Sequence, residues 1–179
     1  MITLILGTPG SGKSQRAEAL ALKLAGTRRR VYIATMVPID DAGRERVARH
    51  RAAREGKGFE TLERPVDMTT LARGADFSDA VCLLECASNL VGNEAHAAAN
   101  GALTDAELVR AIVESLATLG AAAKELIVVS NEFPKDAPGY DDDTRRYVAI
   151  LHAVNEALRG LADRVDEYRE GVWISNDVD

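Results

Sequence analysis

Only two of the 179 residues are cysteine, Cys82 and Cys86. So few thiols, in a chain whose start carries no export signature, exclude a disulfide scaffold. No zinc-ligand spacing accompanies them, and both are expected to be reduced and buried. Long apolar runs are missing as well: no stretch approaches the ~20 residues of a membrane span. The opening Met1 to Gly7 lacks the basic region of a signal peptide and reads as a core strand, so a cytoplasmic location is expected. The third shortage is of positive charge. Against 28 acidic residues stand 22 Lys and Arg, a net −6, which excludes a molecule-wide nucleic-acid-binding surface and points to a small anion as partner. What remains, 46% hydrophobic and 28% charged, is an ordinary globular composition. The length suits one nucleotide-binding domain over 1–179.

Among what is present, one segment stands out: Gly7-Thr8-Pro9-Gly10-Ser11-Gly12-Lys13-Ser14 fits G-x-x-x-x-G-K-[ST], the phosphate-loop pattern. It follows the apolar run Ile2 to Leu6 and precedes a helical stretch in which Ala17, Leu20, Ala21 and Leu24 share one face. Glycines at 7, 10 and 12 are expected at positive φ, bringing backbone N–H groups against phosphate oxygens. Lys13 supplies charge for the β- and γ-phosphates, and the Ser14 hydroxyl is a ligand for Mg²⁺. The helix N-terminus adds its dipole. A nucleoside triphosphate is the expected ligand. The dinucleotide fingerprint G-x-G-x-x-G does not occur in this turn.

Short apolar runs alternate with helical patterns. Ile2 to Leu6, Val31 to Ala34, Ala80 to Leu84 and Leu126 to Val129 read as buried strands; Lys13 to Ala25, Asp41 to Arg54, Asp105 to Leu119 and Asp142 to Leu161 read as helices. The alternation predicts an α/β fold, a mainly parallel sheet with helices on both faces. Tyr147, Leu151, Val154, Leu158 and Leu161 form one apolar stripe on the last helix. Gly56-Lys57-Gly58 and Asn131 to Asp141 are loops. The alanine-rich piece Ala95 to Ala102 reads as a frayed helix end or a mobile loop.

Glu85 closes the apolar run Ala80 to Leu84, where phosphate-loop folds carry the acid that organises Mg²⁺. A second candidate is Arg44 to Arg54, seven of whose eleven residues are ionisable. On a helix Arg46, His50 and Arg54 share a face. Crowded guanidinium groups repel one another and call for an anion such as polyphosphate. The same cations disfavour a charged ring at position 50, leaving a nitrogen free as nucleophile or base. The bland alternative is a solvated basic helix. His96 and His152 read as structural, Asn131-Glu132 lies at the ligand edge of the sheet, and Asp141-Asp142-Asp143 reads as a helix N-cap region.

Taken in order, these pieces resemble the bifunctional adenosylcobinamide kinase / adenosylcobinamide-phosphate guanylyltransferase family of cobalamin biosynthesis. The resemblance is carried by the phosphate loop, Tyr32-Ile33-Ala34-Thr35, Arg46-Val47-x-x-His50-Arg51-x-x-Arg54, Gly56-Lys57-Gly58-Phe59 and Thr61-Leu62-Glu63. It continues through Leu83-Leu84-Glu85-Cys86, Ser88-Asn89-Leu90, Ser130-Asn131-Glu132, Tyr140-Asp141, Thr144-Arg145, Asn155 and Ala162-Asp163. It implies a phosphate-loop NTPase with a RecA-like sheet, assembled as a homotrimer. It further implies two reactions: phosphorylation of adenosylcobinamide by ATP or GTP, then transfer of GMP from GTP through a GMP-histidine intermediate.

The matching histidine is His50. The resemblance makes Lys13, His50 and Glu85 catalytic, puts Ala34, Thr35 and Met36 along the nucleotide, gives phosphates to Arg51 and Arg54, and adds Glu63. Four departures accompany it. The loop reads Gly7-Thr8-Pro9-Gly10-Ser11 where the family commonly has Gly-Gly-x-x-Ser. Phe133-Pro134-Lys135 stands where Val is usual, and His152 where glycine is common. The segment Asp166 to Trp173 replaces a more apolar strand, which makes it either a polar edge or a sign of drift that costs one activity. The alternatives are a small-molecule kinase without guanylyl transfer and a nucleotide-dependent binding module.

Overall fold

The structure, a computed structural model, describes residues 1–97 and 100–177. Of the alanine-rich piece, residues 98 and 99 lie outside the described residues. The chain runs β1 (Ile2–Gly7), α1 (Lys13–Ala25), β2 (Arg29–Ala34), α2 (Asp41–Arg54), β3 (Phe59–Glu63), α3 (Met68–Gly74) and β4 (Ala80–Glu85). It continues through α4 (Ala87–His96), α5 (Asp105–Ala122), β5 (Glu125–Asn131), α6 (Asp142–Leu161), β6 (Arg164–Arg169) and β7 (Val172–Asp177). The seven strands form one sheet in the order β3-β2-β4-β5-β1-β6-β7. Every pairing is parallel except β6 with β7.

The period-two alternation of strand side chains sorts the core onto two faces. Leu4, Leu6, Val31, Ile33, Cys82, Leu84, Leu126 and Val128 point to the side covered by α3, α4, α5 and α6. Ile5, Tyr32, Val81, Leu83, Ile127 and Val129 point to the other, where α1 lays down Ala17, Ala21 and Ala25. With both faces covered, the central strands read as unbroken apolar runs, which is why β1, β2, β4 and β5 were legible. Both cysteines are free and buried, as their scarcity led us to expect. No helix among the described residues is long and apolar enough to cross a membrane.

Helices α2, α3, α5 and α6 start where a short polar side chain accepts an orphan amide. Asp40 caps α2 through Gly43 N at 2.7 Å, and Asp141 caps α6 through Thr144 N at 2.8 Å. The α6 stripe is buried at Leu151, Val154 and Leu158, whereas Leu161, its last member, is 37% exposed at the helix end. Helix α2 is the exception among the long helices: only Gly43 and Arg54 are buried in it. It rests on the sheet's end, so its charged faces need no apolar partner.

Three elements are not anticipated from the sequence. Strand β3 shows no alternation of burial and α3 is only seven residues long; α4 follows β4 with no loop that sequence could signal. Strands β6 and β7 are too polar for an apolar-run criterion. The segment expected either as a polar edge or as drift forms a hairpin whose outer strand, β7, is the sheet's antiparallel edge.

Candidate functional site

Parallel pairing brings the C-terminal ends of the strands to one edge. Register aligns Glu63 with Ala34, Ala34 with Glu85, Glu85 with Val129, and Gly7 with Asn131. Helix α2 lies across this edge, and between it and the Gly7–Ser14 loop is a cleft of about 1070 Å³. Pro9, Gly10, Lys13 and Ser14 floor it, and α2 contributes Arg44, Arg46, Val47, His50, Arg51 and Arg54. Ala34, Met36, Glu63, Glu85, Asn89, Asn131 and Phe133 complete the wall. The three residues expected to share a face of α2, Arg46, His50 and Arg54, all reach the same cleft.

The loop's glycines do not all serve as expected. Gly10 and Gly12 sit at φ +82° and +83°, left-handed conformations that a side chain strains. Gly7 does not have positive φ. It belongs to β1, and its requirement is steric: a Cβ there would stand 2.5 Å from the Ser11 hydroxyl and 3.2 Å from Tyr168 Cβ. Lys13 Nζ donates to the Thr8 carbonyl at 3.2 Å, across the loop it closes. Burial pulls the Lys13 ammonium below lysine's ordinary range, while Cys86 and Glu85 act the other way.

Glu85, 8% exposed, is the hub. Its Oε1 accepts from Ser14 Oγ, and its Oε2 accepts from Tyr32 OH at 3.1 Å. His50 Nδ1 stands 3.9 Å from the same Oε1. An acid therefore faces the histidine in addition to the neighbouring arginines on which the sequence argument relied. Sequence reading missed Tyr32 as its partner; the available signal was a tyrosine inside an apolar strand, whose hydroxyl must find a partner when buried. Burial is the main cause that drives the Tyr32 phenol up, with the Glu85 charge adding to it.

Arg54 is 6% exposed, and two of its guanidinium nitrogens, Nε and Nη1, are buried without a hydrogen-bond partner. Among the described residues its close neighbour of complementary character is the face of Tyr32, 3.3 Å from the guanidinium carbon. A cation taken from water without a carboxylate is costly, and an anion in the cleft would offset that cost. Arg51 is different: it pairs with Glu63, and both side chains are exposed.

Thr35 is not a lining residue. It is fully buried, and its hydroxyl accepts from Cys86 N at 2.7 Å and donates to Cys86 O at 2.8 Å. This clamps the backbone just beyond Glu85 from behind. Thr8, expected on the nucleotide, is exposed and contributes a carbonyl to Lys13. Glu132 turns from the cleft to Arg159, while Asn131 and Phe133 line it. His96 is spent on the Gly92 carbonyl, and His152 on that of Phe133. For a divalent cation, the described residues hold no cluster of three His, Cys, Asp or Glu. Ser14 and Glu85 do supply adjacent oxygen donors, which is the protein share that Mg²⁺ takes when phosphates and water complete its shell.

A family model described as cobinamide kinase / cobinamide phosphate guanyltransferase matches residues 3–175. No curated protein matches the chain. A solved ATPase domain superposes with a TM-score of 0.55 at 13% identity, covering 94% of this chain and 69% of that one. The flagellar accessory protein FlaH from Methanocaldococcus jannaschii gives 0.48 at 13% identity, over 99% and 77%. At such identity the ATPase domain bears on the fold alone.

Proposed function

This chain belongs to the cobinamide kinase / cobinamide phosphate guanyltransferase family, the bifunctional kinase and guanylyltransferase of cobalamin biosynthesis, and from that premise we propose that both transfers run in the one cleft, the second through His50. The observation that carries the proposal is the convergence on Glu85. One carboxylate touches the loop serine and the strand tyrosine and stands 3.9 Å from the α2 histidine.

In the kinase step the acceptor hydroxyl attacks the γ-phosphorus, the bond to the β-phosphate oxygen breaks, and the nucleoside diphosphate leaves. Lys13 and the loop amides hold the β- and γ-phosphates. Glu85, at the loop's mouth, is the group positioned to take the hydroxyl proton. In the guanylyl step a His50 nitrogen attacks the α-phosphorus of GTP and pyrophosphate leaves. With Nδ1 turned to Glu85, Nε2 is the nitrogen free for attack. A phosphate oxygen of cobinamide phosphate then attacks the same phosphorus, the P–N bond breaks, and the ring is restored. Arg54, with no carboxylate partner, meets the charge that pyrophosphate develops.

Mg²⁺ belongs to the same proposal: Ser14 would ligate it and Glu85 would hold it through its water shell, which leaves the carboxylate free as a base, and the ion would supply charge neutralisation for the phosphates. So do the homotrimer and the cytoplasmic location. A net charge of −6 supports small-molecule partners over nucleic acid.

The test uses GTP labelled at the α- or the γ-phosphorus, incubated with protein and Mg²⁺ before denaturation. Acid-labile label from the α position alone, lost in His50→Ala while adenosylcobinamide is still phosphorylated, is the expected result. Loss of phosphorylation together with the adduct would remove His50 from the role of dedicated nucleophile. No adduct under conditions where GTP binds would leave a kinase without guanylyl transfer.

A further inference from the structure

Helix α6 carries His152, Asn155 and Arg159 along one side, three and four residues apart. Each holds one of three consecutive residues at the end of β5. Asn155 Nδ2 donates to the Asn131 carbonyl at 3.0 Å, Arg159 Nη2 to Glu132 Oε1 at 2.8 Å, and His152 Nε2 to the Phe133 carbonyl at 2.9 Å. A carbonyl only accepts, so Nε2 carries the proton. The segment is also tied to the phosphate loop, because Glu132 N donates to Gly7 O at 3.1 Å.

The three anchors differ in what else they serve. Asn155 is 2% exposed and also accepts from Ser130 Oγ at 2.7 Å, inside the core. Arg159 is shared with Glu167 on β6 at 2.6 Å. Those two hold the sheet together. His152 makes one side-chain hydrogen bond among the described residues, to the point where the chain leaves β5 for the irregular stretch that runs to Asp141. The Phe133 ring packs against Tyr147 at 6.4 Å between centroids, and Tyr147 OH donates to the Ser88 carbonyl at 3.1 Å. Phe133 is thus held from two sides, with a surface left on the cleft.

The cleft is electrically lopsided. The phosphate loop and α2 bring Lys13, the arginines and His50, with Glu63 and Glu85 beside them, whereas α4 and the end of β5 add only the uncharged Asn89, Asn131 and Phe133, a lip without charge. Triphosphate belongs with the cations. An acceptor with a broad apolar body and amide-bearing edges, which is the chemistry of a corrinoid, belongs with the lip. We propose that His152, outside the cleft, is a positioning residue that sets the acceptor lip by fixing the carbonyl of Phe133, and so governs binding of adenosylcobinamide and not of nucleotide.

The proposal rests on the functional reading above and is tested by steady-state kinetics of the kinase step with His152→Ala and His152→Gln. His152→Ala raises the KM for adenosylcobinamide about tenfold, the fold-change expected for one lost hydrogen bond. The KM for GTP and the yield of GMP-labelled protein stay at wild-type values. His152→Gln, whose amide also donates, restores the acceptor KM, and Phe133→Ala raises the same KM by removing the lip itself. An unchanged acceptor KM in folded His152→Ala, a parallel rise in the KM for GTP, or failure of the glutamine to rescue overturns the proposal. A wild-type protein that does not phosphorylate adenosylcobinamide overturns the functional reading and this inference with it; an active wild type with an indifferent His152→Ala overturns this inference alone.

Discussion

Arg54 is a buried guanidinium facing the ring of Tyr32, with two nitrogens unpartnered. Its presence is a stability cost that binding recovers, since uncompensated buried charge is unfavourable and apolar replacements of similar volume are often neutral or stabilising. Arg54→Met is therefore expected to leave the melting temperature unchanged or raised while weakening GTP binding by about tenfold or more, the range for a charge-assisted contact. Calorimetric titration alongside a thermal melt checks both halves. This residue was legible in part. The spacing of Arg46, His50 and Arg54 put them on one face, but the charge pattern alone left an anion site and a solvated helix equally open. Burial of Arg54 beneath α2, which depends on Tyr32 from a different strand, separates the two. Thr35 shows the reverse: the family resemblance puts it along the nucleotide, and only the approach of β4 shows its hydroxyl spent on Cys86.

The β6–β7 hairpin is the element that most departs from an apolar-core pattern. Asp166 and Glu167 are 2% and 4% exposed between β1 and β7. Arg16 from α1 and Arg164 hold the first, at 2.7 and 2.9 Å; Arg159 from α6 and Arg169 hold the second, both at 2.6 Å. Burial pushes both carboxyls up, but the hydrogen bonds from these arginines outweigh it and hold them below the ordinary carboxylate range. A depressed folded-state pKa contributes stability above the unfolded value of about 4, and that contribution fades as pH falls through the folded pKa. Asp166→Asn is thus expected to cost about 2 kcal/mol at pH 7, as for a hydrogen bond between charged groups. The gap to wild type should narrow below about pH 4. Urea denaturation at several pH values reads this directly, and a gap independent of pH would count against the ion pairs. No local signal announces such a strand in full, because Arg164 and Arg169 flank the two acids in β6 while the other two compensating charges arrive from α1 and α6.

At the scale of the whole molecule, the cleft joins the loop after β1, helix α2 and the ends of β4 and β5, so nucleotide binding ties distant segments together. GTP at a hundred times its Kd should stabilise the protein by about 2.7 kcal/mol. For a domain of this length that is a rise in melting temperature of about 5–10 °C. Lys13→Ala, which removes the charge on the β- and γ-phosphates, should abolish the rise; a shift that survives would place the nucleotide elsewhere. The phosphate loop, the four buried strands and their parallel arrangement are legible without a structure, since they rest on contiguous residues and on periodicities of 2 and 3.6 that any chain obeys locally. The sequence also carried the family, whose motifs lie in order along the chain. Tertiary structure alone decided which polar residues meet. Ser14, Tyr32, His50 and Glu85 come from four separate segments, and their convergence depends on strand order and on a helix laid across the sheet's edge, neither of which local sequence encodes.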